Sequence, residues 1–231
     1  LSGEGMGKNS SDYFFFFHTF LWVFLPWTLL GLWAFWKRLG GIRKKAESGR
    51  GEVLTIGGIA LIFLIISFAQ LKLPHYLNIT IPLFAVLTAA FLDWLYREEA
   101  FRKLTRAGYM QLGVYILFCV AVLGIVFWVF PVASYLVYIL VLLAILLGVF
   151  LFFKWKDPMV RLVGISLYGC ILLNLVLNAH FYPSLLKYQG GSAMADRIEE
   201  EALDVDTLYK LSEQHSWALD FYFGKHLQVL S

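Results

Sequence analysis

Phe127-Trp128-Val129-Phe130-Pro131-Val132-Ala133-Ser134-Tyr135 lies in the middle of an uncharged run covering 107–153. As one helix, rising about 1.5 Å per residue, that run would be about 70 Å long. This is more than twice the roughly 30 Å hydrocarbon core of a bilayer, so the run must fold back on itself. Proline breaks the backbone hydrogen-bond ladder, which places the hairpin at Pro131. Two membrane spans follow, near 110–130 and 132–153.

Working outward, four more apolar runs have span-like length: 14–35, 53–71, 77–94 and 162–181. The 231 residues are 60% hydrophobic and 15% charged, with a mean hydropathy of +0.71. A soluble domain is nearer half apolar and a quarter charged. The expected fold class is therefore an all-α polytopic membrane protein of about six transmembrane helices (1–181), followed by a small truncated α/β extracytoplasmic domain (182–231).

The loops alternate in charge. Lys37, Arg38, Arg43, Lys44, Lys45 and Arg50 follow the first run, and Arg97, Arg102, Lys103 and Arg106 the third. Lys154, Lys156 and Arg161 follow the fifth, whereas the opposite turns hold Lys72 and no charge at all. Lys and Arg stay cytoplasmic, so 1–13, the Lys72 loop, the Pro131 turn and the tail after 181 face outward from a cell inner membrane. The net charge of +3, confined to loops, excludes a nucleic-acid face.

The tail is acidic, with Asp196, Glu199, Glu200, Glu201, Asp204 and Asp206. Its pattern predicts a helix over 193–202, a strand over 207–211, a second helix over 216–224 and a second strand over 226–230. The chain begins at Leu1 and ends in Val229-Leu230-Ser231. A fragment of a longer protein is expected.

The chemistry-bearing stretch is Ser67-Phe68-Ala69-Gln70-Leu71-Lys72-Leu73-Pro74-His75-Tyr76, between two apolar runs. Lys72 suits a lipid-linked phosphate, as a compact cation with three donors. The alternative is a lysine snorkelling to the interface. His75 and Tyr76 offer hydrogen bonds to a phosphate or a sugar, and Tyr76 also suits an interfacial aromatic belt. His18, one turn inside the first run, marks either a cavity or a bond to a neighbouring helix. Pro26 reads as a kink.

Asn174 and Asn178, at i and i+4, read as glue between helices. Asp93, Glu98 and Glu99 read as a solvated, salt-bridged loop. Asn9 and Asn78 open Asn-x-Ser/Thr triplets, frequent by chance. Cys119 and Cys170, each in an apolar run, have no disulfide or metal spacing. No P-loop, GxGxxG, HExxH or GxSxG is present, and neither a complete catalytic centre nor a metal site can be read.

Phe68-Ala69-Gln70-Leu71-Lys72-Leu73-Pro74-His75-Tyr76-Leu77, followed by Pro82-Leu83-Phe84-Ala85, resembles a segment of bacterial membrane glycosyltransferases. These are similar to protein O-mannosyltransferases and to the aminoarabinose transferase that modifies lipid A. His18 with Leu25-Pro26-Trp27, and Asn178 with Pro183, Tyr188 and Gln189, resemble other parts of that family. The resemblance implies a C-type glycosyltransferase fold in the cell envelope and a polyprenyl-phosphate-linked sugar as donor substrate, with no certain cofactor. It implies a glycan, lipid or protein acceptor, inversion at the anomeric carbon, and a catalytic aspartate upstream of Leu1. Lys72 would then contact the lipid-phosphate region. Competing readings are a transporter or flippase for lipid-linked sugars, for which no inverted repeat is found, and an accessory subunit.

Overall fold

The computed structural model describes residues 14–43, 53–69, 72–188, 190–201, 209–210, 220–222 and 228–229, and these are mostly helical. Helices α1 (Phe15–Val23) and α2 (Thr28–Arg43) replace the single first span expected over 14–35. Proline has no N–H to continue the ladder, and the chain turns at Pro26, where the Leu25–Pro26 peptide is cis. Trp27 N–H then donates to Phe24 O (2.8 Å), and the Thr28 hydroxyl to Leu21 O (3.0 Å).

Helix α3 (Val53–Ser67) leads through a 3-10 turn (Pro74–Ile79) into α4 (Ile81–Arg97). Helix α5 (Phe101–Gly124) ends in a π-helical turn, Ile125–Val129, and α6 is Tyr135–Lys154. The fold-back at Pro131 is therefore present. Tyr138 closes it, its hydroxyl donating to Val132 O (2.7 Å) and its ring stacking on Phe127 at 4.4 Å. Helix α5 starts nine residues before the expected 110, because 101–109 is amphipathic: Leu104, Ala107 and Gly108 are buried while Arg102, Lys103 and Arg106 stay exposed.

Asp157 starts α7 (Pro158–Val176), its carboxylate accepting from the N–H groups of Met159 (2.8 Å) and Val160 (3.0 Å). An acid at the N-cap with proline at the first helical position is a strong start signal.

Among the described residues, three helices are long and apolar enough to cross a membrane: Phe101–Val129, Tyr135–Lys154 and Pro158–Leu186. Val53–Ser67 is apolar but shorter. The six crossings expected from the sequence are thus matched by three on length and composition, among the described residues.

Helix α4 is the hub of 9–173, packed by α2, α3 and α5. Its Phe84 meets rings from three other elements: Phe20 of α1 (centroids 4.3 Å apart), Phe35 of α2 (6.0 Å) and Phe63 of α3 (6.2 Å). Aromatic pairs at these separations add directional attraction to area burial.

Among the described residues, the basic connections start or finish beside the C-terminal half of α4. Arg38 of α2 donates to Ala90 O of α4 (3.4 Å), and its guanidinium lies 5.1 Å from the Trp94 ring. Tyr96 at the end of α4 reaches Asp157 before α7 (3.3 Å). At the other end the 3-10 turn packs against α1.

Residues from 174 onward belong to a second unit. It contains a π turn (Leu177–Phe181), α8 (Tyr182–Leu186) and α9 (Gly190–Glu200). Tyr209–Lys210 and Gln228–Val229 pair in parallel, a two-residue ladder inside the two expected strands. So short a ladder does not make the expected α/β domain, and most of 202–231 lies outside the described residues.

Candidate functional site

The stretch from Lys72 onward forms the 3-10 turn because Pro74 presets the backbone at its first position. Leu77 and Thr80 are fully buried beneath it, with the Thr80 hydroxyl donating to Leu77 O (2.8 Å). Lys72 is partly exposed and His75 exposed. The His75 ring stands edge-on to Tyr76 (centroids 5.0 Å apart), and Tyr76 stacks on Phe16 of α1 at 6.3 Å. Phe16 is fully buried, so Tyr76 is fastened to the helical body rather than free at the surface.

His18 joins this arrangement less directly. It is two residues from Phe16, about 200° around the helix. It is exposed, and its ring packs edge-on against Phe15 at 5.6 Å. The structure brings Tyr76 and His75 to the Phe16 face of α1 and leaves His18 on another face. Gln70 and Leu71 lie outside the described residues.

The turn presents one ammonium, one imidazole and one phenol at the end of the helices opposite the basic connections. This set can bind a phosphate by charge and hydrogen bonds. It holds no carboxylate to take a proton, and no metal-ligating group of three or more is found among the described residues.

Three further places were not singled out by the sequence reading. A cavity of about 360 Å³ is lined by Phe24, Trp27, Ala85, Thr88, Ala89, Leu92, Asp93, Met159 and Val163. It lies between the α1–α2 break, the middle of α4 and the start of α7, so it needed tertiary structure to appear. Asp93 forms the expected exposed ion pair, with Arg97 at 2.8 Å.

Gln111 of α5 is 1% exposed, and neither its amide nitrogen nor its oxygen has a hydrogen-bond partner among the described residues. A lone glutamine within an uncharged run was the available signal.

Beside it, the hydroxyls of Tyr115 and Tyr168 donate to Ile145 O and Ala144 O of α6 (2.8 Å each). Asn178, expected to glue helices, instead donates to Asn174 O one turn back on its own helix (2.8 Å).

No protein-family model, curated protein or solved structure matches this chain.

Proposed function

We propose that this chain is part of a membrane glycosyltransferase that takes its sugar from a polyprenyl-phosphate donor at the outer face of the inner membrane. The observation that carries this reading is the Lys72–Tyr76 turn: a cation and two hydrogen-bonding rings, held at the non-basic end of apolar helices by the Tyr76–Phe16 stack. The resemblance of 68–77 to bacterial membrane glycosyltransferases supports the same reading. The proposal includes six crossings, with α1 and α2 together as one broken span and α4 as a short one. It also includes an outward tail that begins a small α/β domain, and a cytoplasmic basic end.

In such a transfer the acceptor oxygen bonds to the anomeric carbon, and the bond from that carbon to the phosphate oxygen breaks. The acceptor proton passes to a base, expected upstream of Leu1. The leaving polyprenyl phosphate carries the electron pair away. A fixed ammonium stabilises that growing charge more than it stabilises the intact donor, which lowers the barrier. His75 and Tyr76 orient the phosphate or the sugar by hydrogen bonds.

The test is sugar transfer from a polyprenyl-phosphate donor by membranes carrying the native protein. Lys72→Ala is expected to lower transfer by about 100-fold or more, the scale seen when one charge-stabilising donor is removed. Lys72→Arg, which keeps the charge, is expected to lose much less. Unchanged transfer by Lys72→Ala would remove the basis for this role.

A further inference from the structure

We propose that the cavity between the α1–α2 break, α4 and α7 holds one acyl chain of an anionic phospholipid, drawn from the leaflet at the basic end. The lining carries the first half of this assignment. Phe24, Trp27, Ala85, Ala89, Leu92, Met159 and Val163 are apolar or nearly so. Thr88 adds little polarity, because its hydroxyl proton is committed to Phe84 O (2.6 Å). Such a surface takes hydrocarbon and repels a headgroup. The volume, about 360 Å³, is at the lower end of small-molecule pockets, which run from about 300 to 1,000 Å³. It suits one chain rather than a whole lipid.

The charge distribution carries the second half. Asp93 is the acidic residue in the lining, and it pairs with Arg97 at 2.8 Å. The connections that follow Asp93 in α4 and precede Met159 in α7 carry Arg102, Lys103, Arg106, Lys154 and Lys156. Glu98, Glu99 and Asp157 leave these connections net positive. Juxtamembrane basic clusters attract anionic lipid headgroups. A chain entering the cavity would therefore leave its headgroup beside excess Lys and Arg. The Lys72 turn is not part of its lining, and the assignment stands whether or not the protein transfers sugar.

The experiment uses the full native protein, purified in mild detergent and stripped of lipid. Phosphatidylglycerol and phosphatidylcholine with identical chains are titrated in, and bound lipids are counted by native mass spectrometry. One tight phosphatidylglycerol is expected, favoured over phosphatidylcholine by about fivefold, the worth of one basic residue at an anionic headgroup. Ala89→Trp, which fills the cavity, is expected to abolish that tight binding. Leu142→Trp, on an exposed part of α6, is expected to leave it unchanged.

A second measurement needs no cavity-filling variant. Phosphatidylglycerol brominated on its chains should quench tryptophan fluorescence saturably, and Trp27→Phe should remove that saturable part. The proposal is overturned by equal affinity for the two lipids. It is also overturned if a well-folded Ala89→Trp binds normally, if saturable quenching survives in Trp27→Phe, or if a polyprenyl phosphate displaces the bound lipid more readily than phosphatidylglycerol does.

Discussion

Helices α4 and α6 are both apolar and similar in length, yet they occupy opposite situations. Helix α4 buries Phe84, Leu87, Thr88, Phe91, Leu92 and Leu95 against α2, α3 and α5. Helix α6 buries Gly148 and Phe152 and leaves Leu140, Leu142, Leu143, Leu146 and Phe150 exposed. In water such a surface would be untenable, but lipid tails are as apolar as leucine and offer little hydrophobic drive for helices to associate. Hydrophobicity therefore places a helix in the membrane without saying what it touches. Aromatic interlocking decides the position of α4. A notch and two hydrogen bonds decide that of α6.

That contrast is most directly broken at Phe84. Phe84→Ala leaves a hole where rings of α1, α2 and α3 converge. A loss of about 3–5 kcal/mol is expected, the usual cost of a large-to-small core change. Reversible unfolding in mixed micelles would measure it, and a loss below 1 kcal/mol would mean that α4 is not the hub.

The notch comes next. A methyl group at Gly148 would lie 2.6 Å from Tyr115 Cζ and 2.8 Å from Tyr168 Cε1. Gly148→Ala should therefore destabilise by about 1–3 kcal/mol, as overpacking does. Helix propensity alone predicts a gain of up to about 1 kcal/mol. The sign of the change in the same unfolding assay separates packing from propensity.

A smaller effect is expected at Gln111. Gln111→Leu removes a buried amide with no partner among the described residues. Unpaired buried groups carry a penalty of about 1–3 kcal/mol, so stability should hold or rise. A loss above 1 kcal/mol would show that the amide is satisfied in the membrane, by water or by another segment. The smallest effect belongs to Leu143→Ala on exposed α6, within about 0.5 kcal/mol of zero. A cost like that of Phe84→Ala would mean that this face is covered by protein.

Much of the helical organisation was legible in the residues. The hairpin at Pro131 follows from where proline interrupts an apolar run, whereas Pro26 reads as a kink in one span and the structure has two helices there. The expected span starts at 110 while α5 starts at Phe101, because Arg102, Lys103 and Arg106 lie on the exposed side of an amphipathic turn. Loop charges mark the membrane boundary, not the helix boundary. The Lys72–Tyr76 turn was visible as a cluster of unusual residues. Its attachment to α1 was not, since Phe16 and Tyr76 are distant in sequence.

By itself, the sequence determined that this is a chain of apolar helices with basic turns at one end and a compact polar turn at the other. The cost of placing charge or a broken backbone in hydrocarbon is local, and it can be read residue by residue. Tertiary structure alone decided which apolar faces are packed by protein and which stay exposed. It also decided that Tyr76 rests on Phe16, and that Phe24, Thr88 and Val163 line one cavity. Those outcomes depend on side-chain shape across helices, and a uniformly apolar sequence does not encode them along its length.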